Sequence, residues 1–265
     1  MYNFEYNRPA SLDDALKALS SGEEVKLMAG GQTLIPTLKQ RLAQPSKVVD
    51  LSGIAELKGI TVEGNAVVIG AMTTHATVAA SAEVKAKIPA LANLAHGIGD
   101  PQVRNRGTLG GSISNNDPAA DYPAALMALG ATVHTNKRQL AAEDFFAGMF
   151  TTALEEDEIL TKVSFPVPEK AAYAKFAQPA SRYALVGVFV AKTSGGVRVA
   201  VTGAGEDGVF RVSDFEAALS KNFAASALDG ITVPADGLNT DIHGAADYRA
   251  HLIGVMAKRA VQAAG

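Results

Sequence analysis

The chain has 265 residues, 48% hydrophobic and 19% charged, with a net charge of −3. These values fit a globular protein of one large or two to three small domains and leave no basic stripe for nucleic acid. Cysteine is absent, which excludes disulfides, thiol nucleophiles, and Cys-ligated zinc or iron–sulfur clusters within the chain. No apolar run is long enough for a transmembrane helix, and residues 1–9 carry no signal-peptide core. A cytoplasmic location is expected. His75, His96, His134, His243 and His251 lack metal-ligand spacing, so no metal site is expected.

Phe4 and Tyr6 alternate with polar residues and predict a short first strand. Ser11 is placed to cap a helix carrying Leu12, Ala15, Leu16 and Leu19, with Asp14 as a short capping-box acid. The apolar run 25–28 predicts a buried strand that stops at two glycines, before a helix over 34–42. A strand at 48–51 follows. This alternation predicts a small α/β unit over 1–55. A hairpin is predicted from 57–60 and 66–69 about Glu63-Gly64-Asn65. Helices are predicted over 74–80, 82–96 and 121–129, the last ending at Gly130. A hairpin within 131–140 and a strand at 159–165 complete a second unit, 56–167. Strands at 172–177, 186–193 and 197–203 and an amphipathic helix over 247–264 predict an antiparallel α+β unit, 168–265.

Two stretches carry binding chemistry. Ala29-Gly30-Gly31-Gln32-Thr33 joins a strand to a helix, where successive free N–H groups form a nest for an anion. Thr108-Leu109-Gly110-Gly111-Ser112 repeats that chemistry far downstream. Two nests suggest a ligand with two phosphates, although strand–Gly–Gly–helix is also ordinary turn chemistry. A β-branched residue at Gly31 or Gly110 is expected to block approach to the phosphates. Gly203-Ala204-Gly205-Glu206-Asp207-Gly208 matches a dinucleotide fingerprint in spacing only. Its two acids would repel a diphosphate and strand-like residues follow it, so a hairpin turn is expected.

Both nests and their surroundings resemble the flavin-binding medium subunit of molybdenum hydroxylases, the family of carbon monoxide dehydrogenase and xanthine dehydrogenase. The residues that carry the resemblance are Leu27-Met28-Ala29-Gly30-Gly31-Gln32-Thr33-Leu34-Ile35-Pro36, Asp50-Leu51-Ser52 and Gly70-Ala71-Met72-Thr73-Thr74-His75. The longest run is Gln102-Val103-Arg104-Asn105-Arg106-Gly107-Thr108-Leu109-Gly110-Gly111-Ser112, continuing through Asp117-Pro118-Ala119-Ala120-Asp121. Tyr173, Lys175, Phe176, Arg182, Tyr183, Ala184 and the Tyr248-Arg249 helix extend it.

The resemblance implies a two-lobed FAD-binding α/β module of the vanillyl-alcohol oxidase (PCMH) type, followed by a smaller α+β flavoprotein domain. It implies that Ala29 to Leu34 and Thr108 to Ser112 hold the FAD diphosphate through amides and hydroxyls, with Leu27 and Met28 as further cofactor contacts. Ile98 would wall the cofactor, Ile159 or Leu160 would lend backbone contacts, and Tyr183 would lie over the isoalloxazine. Asp121 and Lys175 would be polar FAD contacts, Lys175 near the flavin end. On the residues alone, Asp121 also reads as a helix cap and Lys175 as a solvated strand lysine. The implied FAD is non-covalent, and no catalytic triad is expected. The implied partners are a large molybdopterin subunit and a small subunit with two [2Fe–2S] clusters, as a dimer of heterotrimers. Electrons would pass from those clusters through FAD to an external acceptor. The alternative is a stand-alone flavin oxidase of the vanillyl-alcohol oxidase type.

Overall fold

The computed structural model describes all 265 residues, Met1 to Gly265. The chain opens with β1 (Glu5–Asn7), α1 (Leu12–Leu19), β2 (Val25–Met28), α2 (Leu34–Lys39) and β3 (Lys47–Asp50). The strands form a parallel sheet in the order β1-β3-β2. Central β3 has neighbours on both edges, and Val48, Val49 and Asp50 are buried. Ser11 caps α1 by accepting from the Asp14 N–H. The Asp14 carboxylate turns to the Ser11 hydroxyl rather than to its amide, so the reciprocal half of a capping box does not form. Helix α2 stops three residues short of the expected end, where Arg41 adopts φ +60°.

The middle of the chain runs β4 (Ile60–Glu63), β5 (Ala66–Gly70), then α3 (His75–Ala80), α4 (Ala82–Lys87), α5 (Pro89–His96), α6 (Pro101–Arg106), α7 (Leu109–Asn115) and α8 (Tyr122–Leu129). It closes with β6 (Thr132–Thr135), β7 (Gln139–Ala141), α9 (Ala142–Phe145), a small ribbon of β8 (Phe146–Gly148) and β9 (Thr151–Thr152), and β10 (Leu160–Pro166). Five strands pair antiparallel in the order β4-β5-β10-β6-β7. The single helix expected over 82–96 is two. Pro89 disfavours helical backbone at the residue before it, and Ile88 accordingly sits at φ −139°, ψ 67°. Gly130 ends α8 in the left-handed region at φ +64°, as a C-terminal glycine should.

The last stretch forms an antiparallel sheet of β11 (Lys170–Ala177), β12 (Ala184–Thr193), β13 (Gly196–Gly205) and β14 (Gly208–Arg211), then α10 (Ser213–Lys221) and α11 (Ala246–Ala264). Glu206-Asp207 is the turn between β13 and β14, so the glycine-rich decoy is a hairpin. Residues 184–191 of β12 are all buried, without alternation, because this sheet is covered on both faces. One face meets α11 through Val186, Val188 and Val190. The other contributes Phe189, Ala191 and Ala200 to the core that holds α8. Helix α8 is therefore apolar nearly all round, and it packs between the last sheet and β10 of the middle one. No helix is long and apolar enough to cross a membrane.

Candidate functional site: a cleft over the first glycine turn

A cavity of about 640 Å³ opens where β2 ends, bounded by the turn after it, by the α6–α7 joint and by the Ser181–Tyr183 loop before β12. This is the carboxyl end of a parallel sheet, the usual ligand position in α/β units. Gly31 has φ +74°, and a Cβ on Gly30 would fall on the Arg106 carbonyl. The turn thus needs glycine twice, once for its conformation and once for packing against the α6 terminus. Backbone bonding in this turn begins only at Ile35, which donates to the Gly31 carbonyl at 3.0 Å. The N–H groups of Gly30, Gly31, Gln32, Thr33 and Leu34 have no acceptor in the chain, and all of these residues line the cleft. Consecutive unpaired amides are the chemistry that a diphosphate satisfies, so the turn fits FAD.

The second glycine stretch works differently from the expected nest. Leu109 N–H donates to Thr73, Gly110 to Ala71 at 2.8 Å, Gly111 to the Thr108 hydroxyl at 3.1 Å, and Ser112 to the Thr108 carbonyl. Those amides are already bonded. A Cβ on Gly110 would lie 2.7–2.8 Å from Ala71 atoms, and one on Gly111 would lie 3.0 Å from the Ala29 side chain. These glycines let α7 sit close against Ala71 and against the first turn. What the stretch presents to the cleft is a wall of small residues and the Ser112 side chain.

Asp121 is buried beside α8, yet its side chain caps nothing. Its carboxylate accepts from the Tyr173 hydroxyl at 2.5 Å and the Lys175 ammonium at 2.9–3.0 Å. Burial pushes its pKa up, against the lowering by Lys175 and Tyr173. The capping alternative is therefore excluded. Lys175 is also no solvated lysine, because it is 90% buried and bonds the Gly97 carbonyl at 3.2 Å as well. It stands behind Asp121, which lines the cleft while Lys175 does not. Two bonds from β13, Thr202 hydroxyl to the Ala120 carbonyl at 2.6 Å and Gly203 N–H to the Pro118 carbonyl at 2.8 Å, hold this loop in place.

Leu27, Ala29, Ile98, Thr108, Leu160 and Tyr183 line the cleft with the turn residues. Met28 and Leu109 do not, and Leu109 is fully buried in the core. Tyr183 is half exposed, and burial together with Asp117 and Asp121 raises its phenol pKa. The sequence reading did not assign His75, Asp117 or Arg182 to the site, although all three line the cleft and belong to motifs quoted for the family. The signal was their place in those runs, since no local pattern marks them as binding residues.

Residues 2–168 match the family model described as the FAD binding domain in molybdopterin dehydrogenase. The carbon monoxide dehydrogenase medium chain of Hydrogenophaga pseudoflava is 37% identical, over 98% of this chain and 96% of that one. The nicotine 6-hydroxylase medium subunit of Paenarthrobacter nicotinovorans is also 37% identical over the same shares. Among solved structures, reconstituted CO dehydrogenase from Oligotropha carboxidovorans superposes with a TM-score of 0.91 at 36% identity, covering 99% of this chain and 98% of that one. Quinoline 2-oxidoreductase from Pseudomonas putida 86 gives 0.89 at 31% identity, over 99% and 97%. The free amides of the glycine turn, the cleft above them and end-to-end similarity agree: this chain belongs to the FAD-binding medium subunits of the molybdenum hydroxylases.

Proposed function

We propose that this chain holds non-covalent FAD in the cleft, with the diphosphate on the free amides of Gly30 to Leu34. It takes electrons from [2Fe–2S] clusters of a small partner subunit and passes them to an external acceptor. A large molybdopterin subunit oxidises the substrate, and the assembly is a dimer of heterotrimers in the cytoplasm. The units are 1–55, 56–167 and 168–265, the first two flanking the cofactor. The run of unpaired amides at the cleft floor is the observation that carries the cofactor assignment. When bound, FAD supplies the redox chemistry, and the protein sets its place and surroundings. Gly30 to Leu34 bind the diphosphate, the Ser112 side chain adds a polar contact, and Ile98 and Leu160 exclude water. Asp121, fixed by Tyr173 and Lys175, presents a carboxylate oriented by two donors.

Relatives named for carbon monoxide, nicotine and quinoline are similar to this chain at 31–37% identity. The substrate is accordingly assigned to another chain. Isolation of the native assembly tests the proposal. Two partner chains with molybdenum and iron should copurify, and reducing the iron–sulfur clusters should bleach the flavin band. A flavin that stays oxidised beside reduced clusters contradicts the electron path. A lone chain that oxidises an organic substrate would favour the stand-alone oxidase.

A further inference from the structure

His75 begins α3, and its N–H donates to the Gly107 carbonyl at 3.0 Å. The start of α3 is thereby tied to the joint that leads from α6 into α7. The His75 Nε2 stands 2.6 Å from where a Cβ on Gly107 would lie, so the imidazole packs directly on that glycine. Both His75 and Gly107 line the cleft. The other ring nitrogen, Nδ1, is buried without a partner, and so is the hydroxyl of fully buried Tyr122. The two rings face each other with centroids 5.4 Å apart at 45°. They are the only two unpaired buried side-chain polar groups in the chain, and they are neighbours. Buried polar atoms in folded proteins are almost always paired, and enclosed water pairs those that side chains do not reach.

We propose that His75 is a cofactor-positioning residue of this cleft: Tyr122 donates to Nδ1 through one enclosed water, which leaves the proton on Nε2 and aims that N–H at the FAD beside Gly107. The inference rests on the cleft being the FAD site. A hydrogen bond at one ring nitrogen sets the tautomer at the other. The surroundings keep the ring neutral, since burial and then the Arg104 guanidinium disfavour its protonation. His75 thus acts as an uncharged donor whose direction is set from behind by α8. The free amides of the first turn, by contrast, need no side chain to orient them.

The complete chain labelled with ¹⁵N-histidine, studied without and with FAD, tests this. The His75 signals, assigned by their loss in His75→Gln, should show a neutral ring at pH 7 with Nε2 protonated, and FAD should shift the Nε2 resonance. Tyr122→Phe should retain the wild-type melting temperature within a few degrees, mix the two tautomers and weaken FAD binding about tenfold, the loss of one neutral hydrogen bond. An Nδ1–H tautomer, a charged ring at pH 7, or an Nε2 signal unmoved by bound FAD would overturn the assignment. Wild-type FAD affinity in both variants would do the same. Because the tautomer is read on the unsubstituted chain, a variant that fails to fold leaves the test intact. A chain that takes up no FAD would instead sink the cleft assignment beneath it.

Discussion

Asp121 and Lys175 form a pair whose value depends on both members. Removing one partner of a buried ion pair costs about 3–5 kcal/mol, because the other charge is left in a dry site. Lys175→Met should therefore lower stability by roughly that amount, measured by denaturant unfolding at neutral pH. The sign of the pH dependence follows from the raised Asp121 pKa. Its contribution is complete below the ordinary carboxylate pKa and declines as pH rises through the folded value. The Lys175→Met deficit should accordingly be smaller at pH 4 than at pH 7, and a pH-independent deficit would contradict this reading. His75 works in the opposite direction. Burial, with Arg104, lowers its pKa to about 4. The unfolded chain then takes up a proton near pH 6.5 that the folded chain refuses. Stability is complete above about 6.5 and falls by roughly 3 kcal/mol as pH drops to 4, a slope that His75→Gln should flatten. Neither behaviour was legible in the sequence. Asp121 has local cap chemistry beside Tyr122, and only the fold brings Tyr173 and Lys175 to it from β11, more than fifty residues away.

At the scale of elements, local chemistry marks some boundaries, but the first hairpin strand begins at Ile60 instead of Leu57, and α6 and α7 are not among the predicted helices. The apolar run before Gly30, the stop at Gly130 and the hairpin at Glu206-Asp207 are written in residue types, and the structure has them. The break at Ile88-Pro89 was also available from the proline rule, but an alanine-rich periodic pattern on both sides masked it. The role of the second glycine pair was out of reach. Gly110 is glycine because Ala71 lies against it, and a residue type cannot report a neighbour so distant in the chain. Arg249 on α11 makes the same point. It is 3% exposed and donates to the Leu185 and Gly203 carbonyls at 2.8 and 2.9 Å and to Asp241 at 2.8 Å. It joins α11 to the two middle strands of the last sheet just after the Tyr183 loop. Arg249→Met should destabilise the chain by about 3 kcal/mol in denaturant unfolding, because the Leu185 and Gly203 carbonyls lose their buried donor, while exposed Asp241 stays solvated. A change below about 0.5 kcal/mol would show the network to be dispensable.

For the whole molecule, the central claim is that one glycine turn binds the diphosphate while the other is structural. A single titration separates them. Chain freed of flavin is mixed with FAD, and binding is followed by quenching of flavin fluorescence, with folding checked by melting. The unsubstituted chain should bind one FAD. Gly31→Val, with its strained φ of +74° in the amide nest, should lose FAD retention at least a hundredfold, about 3 kcal/mol of binding, while melting far less changed than Gly110→Val. Gly110→Val should instead lose its melting transition first, because its side chain strikes Ala71. Full FAD affinity in a folded Gly31→Val chain, or a well-folded Gly110→Val chain that alone loses FAD, would contradict the account.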